Sequence, residues 1–177
     1  MKRTIVLISI LMLISCVAAL AQNDPRAEVF GGYQYFHAST GNGGPSFSLN
    51  GWDASLSGYF NHYLGITGDF SGTYGSPFGV SAHLYTYMFG PELRAANHSP
   101  LQPYAHVLFG GSHISGSVSG IGSASDSGFA WAAGGGIDYK VMPVVAIRLG
   151  QFDFLQTHLG NDSQNNFRYS AGVVLRF

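Results

Sequence analysis

Apolar and polar residues alternate with a period of two along most of the chain after residue 26, which is the spacing of a β-strand with one apolar and one polar face. The segment 64–74 is the clearest case, because Leu64, Ile66 and Phe70 share one parity while Thr67 and Asp69 share the other. In the fifth segment both parities are apolar, so the pattern does not decide which set of side chains points inward. The pattern predicts eight strands of about 9 to 12 residues, at 27–36, 52–60, 64–74, 83–94, 103–112, 128–139, 144–154 and 167–177.

The composition indicates that the apolar faces of these strands meet lipid. Charged residues make up only 10% of the chain, against about 25% in typical soluble domains. After residue 21 the sequence has no run of about 20 apolar residues. Insertion by strands requires a closed barrel, because every backbone polar group in lipid needs a partner. The predicted fold is all-β, an eight-stranded antiparallel up-and-down transmembrane β-barrel. The net charge of −1 gives no support for a nucleic-acid partner.

The connections between the predicted strands alternate in length, which is a second sign of this architecture. Three of them are short, at 61–63, 95–102 and 140–143. We expect short turns and both chain ends on the periplasmic side, and long loops outside. The long connections are rich in Gly, Ser and Asn and occupy 37–51, 75–82, 113–127 and 155–166.

The first 21 residues are typical of a secretory signal peptide. Lys2 and Arg3 precede the apolar run 5–14, and small residues at 19–21 form a cleavage site. We therefore predict a signal peptide at 1–21 and an outer-membrane β-barrel domain at 22–177. The single cysteine, Cys16, falls inside the leader, so we expect no thiol in the mature protein. Leu13–Cys16 also resembles a lipoprotein cleavage box, and that alternative stays open.

Acids and arginines of nearly equal number share the polar parity. Eight strands enclose a lumen wide enough only for side chains, and buried charges need partners. We therefore predict a structural charge network that fills the lumen. Asp153 falls on the lipid-facing parity, and we expect it above the membrane near the fourth long loop. The predicted network consists of Glu28, Asp53, Asp69, Glu92, Arg94, Asp138, Arg148, Arg168 and Arg176.

The opening 27–33 and the last nine residues carry a resemblance to a known family. With the leader, they make the chain similar to the OmpA/OmpX-type eight-stranded outer-membrane barrels, the outer-membrane β-barrel domain group. The ending resembles the family's C-terminal assembly signal, which implies the barrel-assembly machinery as a partner. The residues that match this signal are Tyr169, Val173, Leu175 and Phe177.

Aromatic residues near the predicted strand ends are candidates for the interfacial belts of such a barrel. The alternative is that they form the core of a soluble β-sandwich or lipocalin-like barrel. The candidate residues are Tyr33, Tyr35, Trp52, Phe60, Tyr74, Tyr85, Phe109, Phe129, Trp131, Tyr139, Tyr169 and Phe177.

Histidine supplies the only candidates for chemistry. His37, His113 and His158 fall near the predicted outer loops, but no metal-binding spacing is present in the sequence and exposed loop histidines are the simpler interpretation. The triplet 113–115, His-Ile-Ser, resembles the His-x-Ser pair of lipid A deacylases, with Asp126 or Asp153 as the conceivable acid. Chance occurrence in a Ser/Gly-rich loop is the alternative.

These features favour a structural or surface-interaction role, in envelope integrity or in adhesion through extracellular loops. We predict no enzyme activity, cofactor, catalytic residue, metal site or open pore. The expected partners are outer-membrane lipid and lipopolysaccharide, the assembly machinery, and an extracellular ligand or host surface, with a monomer as the expected state. A lipid-modifying enzyme and a small-solute pore are the alternatives. The sequence leaves the ligand of the loops open.

Overall fold

The computed structural model describes residues 26–39, 47–76, 81–95, 99–118, 122–159 and 162–177. The predicted signal peptide and Cys16 lie outside these residues. In the described part of the chain, no helix is long and apolar enough to cross a membrane. The strands are β1 (Ala27–Ser39), β2 (Phe47–Tyr59), β3 (Leu64–Gly75), β4 (Ser81–Arg94), β5 (Leu101–Val118), β6 (Gly122–Met142), β7 (Val145–Leu159) and β8 (Asp162–Arg176).

The eight strands form a closed barrel in which each strand pairs with the next along the chain. All pairs are antiparallel, and β8 closes the sheet on β1 from Glu28↔Arg176 to Ser39↔Asn165. The closing seam continues one step further, because the N–H groups of Arg26 and Ala27 donate to the carbonyl of Phe177 at 2.7 and 3.1 Å. The predicted fold is confirmed. Closure leaves no open edge along the body of the sheet.

Side chains on the two faces follow the predicted alternation on β1–β4, β6 and β8. The fifth strand, which the sequence left open, turns Tyr104, His106 and Leu108 inward and Val107 and Phe109 outward. All the candidate belt aromatics project from the outer face, so the soluble alternative, in which they would form a core, is wrong. Residues of the outer face include Leu56, Ile66, Phe70, Phe89, Leu93, Leu149 and Val173, each about half exposed.

The long predicted loops are shorter than expected because the strands continue through them. The interval 113–127 was predicted as a loop, yet β5 runs to Val118 and β6 starts at Gly122. The interval 155–166 is likewise taken up by β7 and β8. Gly and Ser have low strand propensity, but the backbone of each strand extends the hydrogen-bonded ladder already formed by its neighbour. Where the sequence predicted long loops, the structure therefore has hairpins with longer strands.

The β5–β6 hairpin extends beyond the region in which β6 pairs with β7. The two strands pair as far as Val118↔Gly122, whereas pairing of β6 with β7 begins only at Phe129↔His158. Residues 122–128 therefore pair with β5 and, within the described chain, not with β7. We call the paired segments 112–118 and 122–128 the outer ribbon. It lies at the end of the barrel opposite the two chain termini.

A β-bulge in β7 changes which residues face the lumen. The pairing of β7 with β8 shifts between Arg148 and Gln151, and its pairing with β6 shifts in the same interval. Parity therefore changes after Leu149, so Gln151 and Asp153 point inward. The prediction that Asp153 faces lipid and lies above the membrane is wrong: its side chain is inside the barrel and 2% exposed.

Candidate functional site

The lumen near the chain termini holds a cluster of three acids and three arginines. Glu28 forms ion pairs with Arg94 and, at 3.1 Å, with Arg176. Arg148 binds both carboxylate oxygens of Asp138, at 2.9 and 3.3 Å. Arg176 also approaches Asp138 at 3.5 Å. With Glu92 as the third acid, the formal charges of this lower cluster cancel. Balance is what a desolvated interior requires.

Aromatic rings line the lower cluster and hold its guanidinium groups in place. Arg94 lies over the ring of Tyr59 at 3.9 Å. Arg148 lies between the rings of Phe30 and Tyr104, at 4.2 and 4.3 Å from their centroids. A guanidinium stacked on aromatic faces gains cation–π attraction that strengthens when water is excluded. The hydroxyl of Tyr59 also donates to Glu92.

A second cluster lies further from the chain termini, and it is centred on Arg168. We call it the upper cluster. This guanidinium binds both carboxylate oxygens of Asp69, at 2.6 and 3.2 Å, and its Nε donates to Asp153 at 2.8 Å. His106 Nε2 contacts the other oxygen of Asp153 at 2.8 Å. Arg168 and Asp153 are both almost fully buried. A planar guanidinium can serve two carboxylates at once because its donors form a fork.

Gln151 joins the two clusters. Its Oε1 accepts hydrogen bonds from Tyr104 and Arg148, both at 2.7 Å. Its Nε2 donates to Asp153 at 2.7 Å. The polar network is therefore continuous from the level of Glu28 to the level of Arg168. Gln151 has this position because of the bulge, and the sequence analysis missed it.

Small residues on β6 make room for the larger groups of this network. A Cβ added at Gly134 would collide with the Asp153 carboxylate, and one added at Gly136 would lie 2.7 Å from the hydroxyl oxygen of Tyr104. The sequence places Gly134, Gly135 and Gly136 in a row, and only the two inward positions face these side chains. The glycine run is a packing feature of the lumen.

Apolar side chains form a buried cluster in the lumen above the polar network. At the end nearer the outer ribbon, Phe47 and Ile114 pack against this cluster. The recess that remains there has a volume of about 10 Å³, which is the space of a single water molecule at most. The cluster consists of Phe36, Ala38, Leu49, Leu84, Met88, Leu108, Ala130, Ala132 and Leu155.

The structure places all nine predicted lumen charges inside the wall, and the most exposed of them, Arg94, is only 8% exposed. Asp53 differs from the other acids, because neither of its carboxylate oxygens has a hydrogen-bond partner among the described residues. The upper cluster therefore holds three carboxylates, those of Asp53, Asp69 and Asp153, around the single guanidinium of Arg168. His106 could not be placed from the sequence, because both parities of its strand are apolar.

The His-Ile-Ser triplet 113–115 does not form a triad with Asp126 or Asp153. His113 Nδ1 contacts the hydroxyl of Ser127 at 2.7 Å, on the outer face of the wall. Asp126 accepts from the backbone N–H of Ser127, and Asp153 lies inside the lumen. Within the described chain, no contact joins His113 to Ser115 or to an acid. The described residues also hold no group of three His, Cys, Asp or Glu side chains that could bind a metal.

The residues of the predicted assembly signal lie on the outer face of β8. Val173 and Leu175 are 47% and 43% exposed. The ring of Tyr169 packs against Phe152 at 4.9 Å, and its hydroxyl donates to the carbonyl of Leu149 at 3.1 Å. Phe177 takes part in the closing seam through its backbone. The last strand therefore presents a continuous apolar face to its surroundings.

The sequence matches a family model described as the outer membrane protein β-barrel domain over residues 7–177. Among curated protein sequences, none matches this chain.

Solved structures share the fold along nearly the whole barrel. Neisserial surface protein A is similar with a TM-score of 0.73 and 18% identity, covering 88% of this chain and 100% of that one. Ail, the attachment invasion locus protein of Yersinia pestis, is similar with a TM-score of 0.65 and 19% identity, covering 87% and 99%. The N-terminal β-barrel domain of Pseudomonas aeruginosa OprF has a TM-score of 0.58 and 11% identity, covering 88% and 100%.

Proposed function

This chain belongs to the outer membrane protein β-barrel domain family, and from that premise we propose that it is a non-conducting barrel that presents the outer ribbon to a partner at the cell surface. Residence in the outer membrane follows from the family. The finer role is our proposal, and it places the chain termini in the periplasm and the outer ribbon outside.

The observation that supports the proposal is the side-chain packing inside the lumen. Ion-paired side chains fill its lower and middle levels, and a buried apolar cluster lies towards its outer end. A solute would have to displace buried charge pairs, and breaking one such pair costs about 3 to 5 kcal/mol. The interior of the barrel therefore serves stability, and contacts with other molecules fall to the outer surface.

The outer ribbon has a backbone feature suited to contact with another protein. Residues 122–128 pair with β5 on one side, while pairing with β7 starts only at Phe129. Among the described residues their other edge has no ladder partner, and its backbone donors and acceptors are groups that a partner can use by adding a strand. The names of two similar proteins, a surface protein and an attachment invasion locus protein, are in keeping with a role of this kind.

The remaining parts of the proposal concern the nine lumen charges and the last strand. We assign the charge network to the stability of the barrel, since its ion pairs are buried and join different strands across the lumen. We also propose that the barrel is a monomer. We assign the apolar face of β8 to recognition by the barrel-assembly machinery. We propose no catalytic role.

The test shortens the outer ribbon and keeps the barrel. Residues 116–124 are replaced by an Asn-Gly turn, which suits a two-residue hairpin after the pair Ser115↔Ser125. A matched control replaces the turn residues Pro143 and Val144 by Asn-Gly at the opposite end. Heat-modifiable gel migration establishes that each variant forms a barrel.

We expect cells that express the protein or the control to adhere to cultured epithelial monolayers more than vector-only cells, and the shortened variant to adhere no better than vector. Equal adherence of the shortened and full-length proteins would refute a role for the ribbon. In planar bilayers we expect near-background conductance, and stable single-channel steps would refute the proposal of a non-conducting barrel.

A further inference from the structure

Four histidines lie on the outer face of the wall, at the end opposite the chain termini. We call them the rim histidines: His37 on β1, His83 on β4, His113 on β5 and His158 on β7. His158 is exposed and the other three are half-buried.

Each rim histidine is paired across the ladder with an outward-facing aromatic residue. The rings of His83 and Tyr74 lie 5.3 Å apart, and those of His158 and Phe129 lie 6.2 Å apart. Aromatic belts mark the boundary between hydrocarbon and headgroups. The rim histidines therefore lie at the headgroup level of one leaflet. The pairs are His37↔Phe167, His83↔Tyr74, His113↔Tyr85 and His158↔Phe129.

This rim lacks the lysines and arginines that would contact anionic lipid permanently. Of the eight in the sequence, Lys2 and Arg3 lie in the predicted leader, while Arg26 and Lys140 lie at the end of the termini. The other four arginines point into the lumen. The connections 40–46, 77–80, 119–121 and 160–161 contain no Lys, Arg, Asp or Glu.

The groups that face the rim histidines from adjoining strands are hydroxyls and aromatic rings. His37 Nδ1 contacts Ser48 Oγ at 3.1 Å, and His113 Nδ1 contacts Ser127 Oγ at 2.7 Å. In the ladder, Ser115 lies opposite His83 and Ser163 opposite His158. Asp126, next to Ser127, and Asp162, next to Ser163, are the acids of this rim by sequence. Arg168 and Asp153 are on the lumen side of the wall.

We propose that the rim histidines bind the phosphate groups of anionic lipid headgroups in the surrounding leaflet, and that acidification turns this contact on. Histidine is the side chain that changes charge between about pH 5 and 8. Above this range the rim has no cation to offer a phosphate. Below it, up to four positive charges surround the barrel at headgroup height, where each basic group attracts an anionic membrane surface. The proposal rests on the placement in the membrane and not on the role of the outer ribbon.

The two tryptophans of the chain are suited to report on this contact. Trp52 donates to the hydroxyl of Tyr74, the partner of His83, and Trp131 lies on β6 two residues from Phe129, the partner of His158. Their fluorescence can be quenched by brominated lipids in contact with this part of the wall. Quenching by brominated phosphatidylglycerol relative to brominated phosphatidylcholine measures the local enrichment of anionic lipid.

The experiment uses the barrel refolded into phosphatidylcholine vesicles that contain a minority of phosphatidylglycerol, at about pH 7.5 and about pH 5.5. We expect enrichment of phosphatidylglycerol to rise about fivefold or more at the lower pH, the effect of at least one added charge at the surface. In the variant H37Q/H83Q/H113Q/H158Q the enrichment should not change with pH. The control His62→Gln, at the opposite end of the barrel, should behave as the wild type.

Further variants keep the test decisive if the fourfold variant does not fold. H37Q/H158Q should show a smaller rise, and H37K/H158K should show enrichment already at about pH 7.5. Enrichment that is independent of pH in the wild type, or a rise that survives in the histidine variants, would overturn the proposal. Acid-dependent binding of soluble heparin without enrichment of phosphatidylglycerol would also overturn it, in favour of a soluble polyanion.

Discussion

Asp153 accepts a hydrogen bond from Arg168 at 2.8 Å inside the barrel, although strict alternation along β7 would turn it toward lipid. The bulge between Arg148 and Gln151 brings it inside. Asp153 then serves Arg168, His106 and Gln151 together. An acid at this position is therefore central to the upper cluster.

Replacing Asp153 by Ala should lower the free energy of unfolding by about 3 to 5 kcal/mol, because Arg168 loses one of its two buried carboxylates. Urea titration of the barrel refolded in phospholipid vesicles, followed by tryptophan fluorescence, measures this change. The control is Asp126→Ala on the exposed rim, for which a change within about 0.5 kcal/mol is expected. Equal effects of the two substitutions would contradict the central position of Asp153.

Asp53 and Asp69 should respond differently to the same substitution. Asp69→Asn removes the charge that Arg168 binds through both oxygens, and we expect a loss of about 3 kcal/mol or more. Asp53→Asn removes a buried carboxylate that has no hydrogen-bond partner among the described residues. It should leave stability unchanged or raise it by about 1 kcal/mol, because Arg168 is already bound by Asp69 and Asp153 and a third buried negative charge beside them is unfavourable. The same urea titration compares them, and a large loss for Asp53→Asn would show that its charge is needed.

Gly134 tests the packing between β6 and the network. A methyl group there would meet the carboxylate of Asp153, so Gly134→Ala should destabilise the barrel by about 1 to 3 kcal/mol. Gly31 is the matched control on the outer face, since a Cβ there meets no atom within 4 Å. Gly31→Ala should change stability by no more than about 0.5 kcal/mol. Thermal unfolding monitored by gel migration gives the melting temperature of each variant. Equal melting temperatures would contradict the proposed contact between the added methyl group and Asp153.

Substitution of Phe177 distinguishes an effect on assembly in the cell from an effect on the stability of the folded barrel. Phe177→Ala keeps the backbone hydrogen bonds with Arg26 and Ala27, so refolding in vesicles should give a stability within about 1 kcal/mol of the wild type. In cells, we expect the amount of folded protein in the outer membrane to fall several-fold, because the assembly signal has lost its terminal ring. Phe60→Ala, an exposed aromatic near the same end, serves as the control. Normal accumulation of the Phe177 variant in the outer membrane would contradict the proposal that the assembly machinery recognises the last strand.

Most of the side chains in the lumen could be predicted from the sequence. In seven of the eight strands, the alternation of inward and outward positions is not shifted at any charged residue. On β3, for example, Leu64, Ile66 and Phe70 share the outward parity, so Asp69 could be placed inside from its position alone. β7 differs, and its sequence carries a sign of the bulge: outward apolar residues occupy odd positions up to Leu149 and even positions from Phe152. That change of parity could have placed Asp153 correctly. The extended hairpins were missed because Gly and Ser indicate loops, while ladder pairing depends on the neighbouring strand.

By itself, the sequence determined the all-β fold, the number of strands and the side of the wall on which most side chains lie, because a period of two is a local property of an extended chain. Only the tertiary structure decided which charges meet. Arg168 binds an aspartate 99 residues away, and closure of β8 on β1 brings Arg176 to Glu28. The four rim histidines come to one level in the same way. Such neighbours depend on the register of strands around the closed barrel, and no spacing along one strand contains that information.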